Sequence, residues 1–107
     1  MRLLFSLKLL IKNCKPFDTG YLPECDGHLI FYQQFGNPKG EPVLSFHGGP
    51  GGCSKASHAS NYNLKKYRVI LFDQRGCGLS QSADPFYKNT IQATVKDALR
   101  LLEQLQR

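Results

Sequence analysis

Apolar runs and glycine-rich turns alternate along the chain, and the alternation predicts most of its elements. Val43-Leu44-Ser45-Phe46 and Tyr67-Arg68-Val69-Ile70-Leu71-Phe72 each run without a spacer into a turn. Short apolar runs bounded by turn signals read as buried strands. Upstream, residues Pro16 to Gly40 predict a β-hairpin with loops. Phe17-Asp18-Thr19-Gly20 reads as turn-like, Tyr21-Leu22 as a short strand and Asp26-Gly27 as the hairpin turn. His28 to Phe35 reads as one aromatic-rich strand, closed by the loop Gly36-Asn37-Pro38-Lys39-Gly40. Ser54 to Lys66 should hold a short or irregular helix. Asn89-Thr90 is an N-cap signal, with Gln92 placed to complete a capping box. Ile91, Val95, Ala98, Leu99, Leu102 and Leu105 then recur at helical spacing, which predicts an amphipathic helix with these residues on its buried face.

The turn after the first run, His47-Gly48-Gly49-Pro50-Gly51-Gly52, contains four glycines that suit close approach of a ligand to the main chain. Glycine opens backbone conformations closed to other residues, and Pro50 stiffens the turn while donating no N–H. At the C-terminal end of a strand in an α/β sheet, such a turn can offer backbone N–H groups to a developing anion. The second run ends in Asp73-Gln74-Arg75-Gly76-Cys77-Gly78-Leu79-Ser80.

The pair His-Gly-Gly-Pro-Gly and Asp-Gln-Arg-Gly-Cys-Gly-x-Ser resembles the proline iminopeptidase (prolyl aminopeptidase) family of α/β-hydrolases. Asp26-Gly27-His28, Phe35-Gly36-Asn37-Pro38, Asn89-Thr90 and Asp97 agree with that family, whereas Leu99 and Leu102 depart from it. The resemblance covers residues 14–107, leaving residues 1–13 as an apolar and basic extension. It implies an α/β fold, namely the N-terminal part of an α/β-hydrolase. An antiparallel hairpin would be followed by two parallel strands with flanking helices, ending before the nucleophile elbow.

The resemblance also assigns roles. The Gly49 N–H would be half of an oxyanion hole, within a loop of His47, Gly48, Pro50 and Gly51. Asp73, Arg75, Gly76 and Gly78 would brace the neighbouring turn, and His47 would brace its loop instead of serving as the base. A serine hydrolase of this fold further needs a Gly-x-Ser-x-Gly elbow, an acid and a histidine in that order. No serine of the chain stands in such an elbow. Gly52-Cys53-Ser54-Lys55-Ala56 imitates one, but the preceding strand has already ended, so Ser54 reads as a loop or cap residue. The expected activity of the full family is release of N-terminal proline from peptides, and this chain alone is expected to be inactive. The strand Val43 to Phe46 should lie between the second run and the absent nucleophile strand. Its open edge would invite self-association and give a marginal monomer.

Composition narrows the alternatives. The formal charge of +6 is spread from Arg2 to Arg107, with Lys65-Lys66-x-Arg68 the one local knot. A dispersed excess argues for a solvated surface and against nucleic-acid binding. A small basic binding module built on that knot is the reading from another class. An epoxide hydrolase or dehalogenase is the rival within the fold. Cys14, Cys25, Cys53 and Cys77 show neither metal-ligand nor redox-motif spacing. With no good secretory signal, reduced thiols and a cytoplasmic location are expected. Met1 to Lys12 is basic and leucine-rich but too short to span a bilayer. His28 reads as a surface residue at a strand start, and no cofactor or metal is implied.

Overall fold

The computed structural model describes residues 15–47 and 52–106. The readings made for residues 1–13, and for Gly48, Gly49, Pro50 and Gly51, lie outside the described residues. Among the described residues, six strands and two helices follow in chain order: β1 Asp18–Tyr21, β2 His28–Leu29, β3 Phe31–Gly36, β4 Glu41–Phe46, α1 Ala56–Ala59, β5 Tyr67–Phe72, β6 Gln81–Ser82 and α2 Ile91–Leu105.

Four strands form one sheet in the order β1-β3-β5-β4. β1 and β3 are antiparallel, as are β3 and β5, while β4 runs parallel to β5 in the register Val43 to Val69 and Phe46 to Phe72. This is the arrangement that the resemblance implies: an antiparallel hairpin followed by two parallel strands. The hairpin turn is set by Asp26 and Gly27, which both take positive φ, 54° and 77°. That pair of conformations defines the tight turn whose twist suits a hairpin. Cys25 and His28 close it with two main-chain hydrogen bonds of 3.1 and 2.9 Å.

The side-chain alternation of β5 builds two cores. Ile70 and Phe72 face Leu22, Ile30, Tyr32, Ala98 and Leu101, with Leu44, Leu102 and Leu105 packed around them. Val69 and Leu71 face the other way, onto Phe35, Ala59, Tyr62 and Leu64. α2 therefore covers one face of the sheet, and α1 with the chain after it covers the other. Burial of β5 on both faces explains its unbroken apolar run.

β4 lies at the edge of the sheet among the described residues. The Glu41 N–H donates to the Lys66 carbonyl. Main-chain groups alternate in direction along a strand. Glu41, Val43 and Ser45 thus address β5, and Pro42, Leu44 and Phe46 turn their main-chain groups outward. Pro42 brings no N–H to that edge. The Phe46 side chain is 50% exposed and meets Phe72 edge-on at 5.3 Å.

Several expectations need correction. The segment read as turn-like is strand: Asp18 to Tyr21 pair residue for residue with Gln34 to Phe31. His28 to Phe35 is two strands, because the chain switches partners at Ile30. β2 pairs with β6, whereas β3 pairs with β1 and β5. His28 is buried, not on the surface, and both ring nitrogens are engaged, Nδ1 with Ser82 Oγ and Nε2 with the Tyr87 carbonyl, each at 2.6 Å. The N-cap of α2 is Thr90, whose hydroxyl accepts the Ala93 N–H at 3.1 Å. Asn89 instead donates to the Arg75 and Pro85 carbonyls.

The buried face of α2 also differs from the reading. Ala98, Leu101 and Asp97 are buried, whereas Ile91, Val95 and Leu99 are 81%, 49% and 62% exposed. The helix turns so that Asp97 meets a buried arginine, and the two leucine spacings of the sequence fit either face. The basic knot is likewise split. Arg68 folds inward, donating to Gln34 Oε1 at 2.7 Å and to the Leu105 carbonyl at 3.1 Å. A cation at the C-terminal end of a helix offsets its dipole, so Lys65 and Lys66 face solvent without it.

Candidate active site

The C-terminal ends of β4 and β5 lie side by side, since Phe46 pairs with Phe72. The residues that follow, His47 and Asp73-Gln74-Arg75, occupy the edge of the sheet where α/β proteins bind ligands. Parallel pairing brings these two turns together although they are far apart in sequence.

Asp73 is buried and its carboxylate is fully used. Oδ1 accepts the Ser54 N–H at 2.7 Å and the Ser54 hydroxyl at 2.8 Å, and Oδ2 accepts the Leu79 N–H at 2.9 Å. Its carbonyl accepts the Ser80 hydroxyl at 2.5 Å. Charge-assisted bonds of this kind are stronger than neutral ones. Gly78 passes directly over the carboxylate with φ of +51°, and a Cβ there would collide with Asp73.

Gln74 grips His47 at two points. Its main-chain N–H donates to His47 Nε2 at 3.1 Å, and its side-chain amide donates to the His47 carbonyl at 3.1 Å. Neither Gln74 nor the Ser54 contact was legible as a site feature, because an amide and a lone hydroxyl carry no motif. The one available hint was that Gln74 stands between two residues already singled out.

Arg75 is fully buried and joins three parts of the chain. Its Nε and Nη2 form a two-pronged pair with Asp97 at 2.7 and 3.0 Å. Nη1 reaches Asp26 in the hairpin turn at 3.1 Å and the Lys88 carbonyl at 3.0 Å. The hydrogen bonds to Asp97 push the guanidinium pKa further up, against the opposing effect of burial. Asp26 is held below its ordinary range, first by the hydrogen bond from Arg75 and then by the charges of Lys96 and Lys88, with desolvation acting the other way. Gly76, at φ of +74°, turns the chain beneath Pro85. An open cleft of about 670 Å³ lies beside this network, between Gln74, Cys77, Phe86, Asn89 and Ile91.

The residues from β4 onward, 41–107, match the family profile of the alpha/beta hydrolase fold. The chain belongs to the α/β-hydrolase family. Within that family it is 40% identical, over 89% of its length, to a proline iminopeptidase from Xylella fastidiosa. It superposes on the crystal structure of a proline iminopeptidase-related protein from Thermus thermophilus with a TM-score of 0.68, at 35% identity over 83% of this chain and 32% of that one. A protein described as a candidate epoxide hydrolase from Klebsiella pneumoniae is similar at a TM-score of 0.65 and 27% identity, over 83% of this chain and 30% of that one. The chain spans 30% of the length of its Xylella relative.

As an α/β-hydrolase segment, the site holds braced turns and buried charge. Among the described residues, no group of three or more His, Cys, Asp or Glu is placed to hold a metal ion. Cys25, Cys53 and Cys77 carry free thiols, Cys77 buried against the Arg75 carbonyl at 3.6 Å. No helix among the described residues is long and apolar enough to cross a membrane.

Proposed function

We propose that this chain contributes the oxyanion-binding segment of a prolyl aminopeptidase, a serine peptidase that releases N-terminal proline from peptides in the cytoplasm. The observation that carries the reading is the contact between the two family motifs. His47, at the head of His-Gly-Gly-Pro-Gly, is hydrogen-bonded twice by Gln74 of Asp-Gln-Arg-Gly. The similarity to proline iminopeptidases extends over both motifs.

In this reading a serine on a strand added beside β4 attacks the prolyl carbonyl. A histidine takes the serine proton and then delivers it to the departing amine, and the Gly49 N–H stabilises the oxyanion. Asp73, Arg75, Gly76 and Gly78 support the turn and do not touch substrate. No serine among the 107 residues lies in a Gly-x-Ser-x-Gly elbow, so the chain alone is expected to be inactive. The outward edge of β4 would then take either the nucleophile strand or a second copy of the chain.

The test is to read the coding sequence past Arg107 and assay prolyl-arylamide hydrolysis by the chain alone and by the continued polypeptide. Hydrolysis only by the latter supports the proposal. Hydrolysis by the chain alone would overturn the assignment of the nucleophile. A second reading, hydrolysis of an epoxide, draws on the likeness to the Klebsiella protein. Epoxide turnover without prolyl-arylamide turnover would favour it.

A further inference from the structure

We propose that one side of α2 and the adjoining face of β4 form a single docking surface, whose occupant is a strand followed by an amphipathic helix from the continued polypeptide. The inference rests on the hydrolase reading above, which supplies a strand beside β4, and adds a helix lying over that strand.

Ile91, Val95 and Leu99 recur every four residues and stand on one line along α2, 81%, 49% and 62% exposed. The direction of that line follows from the other flank of the helix. Arg100 donates to the Pro23 carbonyl just past β1, and Gln104 hydrogen-bonds Tyr32 of β3. At about 100° per residue, Arg100 and Gln104 lie on one side of the buried centre made by Ala98 and Leu101, with the apolar line on the opposite side. The line therefore faces away from β1, toward β4 and the space beyond its edge.

β4 continues the surface. Leu44 and Phe46 pair in register with Ile70 and Phe72, so their side chains share the α2 side of the sheet. Phe46 is half exposed. Together with the line on α2 it presents on the order of 500 Å² of apolar surface, near the upper end of the largest patches that monomers carry. Leu99 departs from the family resemblance, so the apolar character of this stripe belongs to this chain and does not come with the shared motifs.

Spacing decides the occupant. Strands lie about 4.8 Å apart and packed helices about 8–10 Å apart, so each helix on a sheet spans two strands. α2 sits over β3 and β5, where it meets Tyr32, Ile70 and Phe72. The next helix would therefore lie astride β4 and one added strand, covering Leu44, Phe46 and the stripe together. A second copy paired through β4 does not achieve this. By the same spacings its α2 would stand about 19 Å from the first, leaving a trough one helix wide and the stripe bare. The helix that fits turns aliphatic residues at three- and four-residue spacing toward α2 and polar residues outward. The Xylella relative leaves ample chain for such a unit, since this chain spans 30% of it.

Truncation reads the occupant. In the 107-residue chain, Ile91→Ala and Leu99→Ala remove exposed atoms and should move the urea midpoint far less than Leu101→Ala does. In the polypeptide continued past Arg107, Leu99→Ala should produce at least about half the shift of Leu101→Ala, while Glu103→Ala, at an exposed position off the stripe, stays at the wild-type midpoint. A Leu99→Ala shift equally small in both polypeptides would overturn the proposal. A coding frame that stops at Arg107 would also overturn it, because no such unit would exist to dock. Sedimentation of the 107-residue chain tests the rival occupant: a dimer that Leu99→Glu dissociates would make a second copy the occupant and overturn the proposal. Prolyl-arylamide hydrolysis is read separately. If the continued polypeptide lacks it while Leu99→Ala still destabilises, the functional reading fails and the docking surface stands. Hydrolysis with an indifferent Leu99 has the opposite meaning.

Discussion

The pair Arg75–Asp97 offers the sharpest quantitative test of the fold. Both side chains are essentially solvent-free, and they meet through two hydrogen bonds. Removing one partner of a buried pair leaves an uncompensated charge and costs about 3–5 kcal/mol, whereas replacing both with apolar groups is often close to neutral. A typical stability of roughly 0.05–0.15 kcal/mol per residue amounts to about 5–16 kcal/mol for 107 residues, so such a loss removes a large share of it. Asp97→Leu should therefore lower the unfolding midpoint strongly. Arg75→Leu should also destabilise: it leaves Asp97 with Arg100 at 3.2 Å, as Asp97→Leu leaves Arg75 with Asp26 at 3.1 Å. The double variant should recover most of the loss, giving a coupling energy of about 2 kcal/mol or more. Urea unfolding followed by tyrosine fluorescence suits the chain, which has five tyrosines and no tryptophan. A double variant as unstable as the sum of the two singles would refute the view that pairing, and not packing, governs this site.

Other outcomes follow from the same structure. Asp26 has a folded-state pKa depressed below 3.8, so its contribution is complete above the unfolded value and is lost as pH falls through the folded one. Urea midpoints should drop on acidification from about pH 5 in the wild type and less steeply in Asp26→Asn, where asparagine tolerates the positive φ. Parallel slopes would remove Asp26 from the account. Gly78→Ala should destabilise by about 3 kcal/mol, because strain at positive φ adds to a collision with Asp73, while Gly27→Ala, with only Ala83 Cβ at 3.9 Å, should cost about 1 kcal/mol. Leu101→Ala should cost about 2–5 kcal/mol and Leu99→Ala less than about 0.5 kcal/mol, measured as shifts in unfolding midpoint; equal losses would return Leu99 to the buried face.

The strands that matter most were legible because they are apolar on both faces. Val69 to Phe72 can serve no other purpose than a core, and Asp26-Gly27 is a turn that few other conformations accommodate. The position of α2 was legible too, but its rotation was not. Ile91, Val95 and Leu99 form one helical stripe and Ala98, Leu101, Leu102 and Leu105 another. The choice between them was made by Asp97, a polar residue that only a buried arginine could draw inward. β6 escaped notice because two residues form no period, and its partner β2 is equally short. The site was half legible. Glycines and charged residues announced the two turns, whereas Gln74 and Ser54 gain their meaning from neighbours 27 and 19 positions away.

Pro42 gives the outer edge of β4 a polarity of its own. Its missing N–H leaves the start of the strand poorer in donors than the end, where Leu44 and Phe46 offer both groups. A parallel strand joining here would meet that defect once and would be gripped hardest beside His47, where its own turn must be placed. Two copies pairing antiparallel about a two-fold axis would meet it twice, since Pro42 of each would face Phe46 of the other. One proline thus penalises the symmetric pairing twice as heavily as the asymmetric one, and the edge discriminates between its possible occupants before any side chain is read.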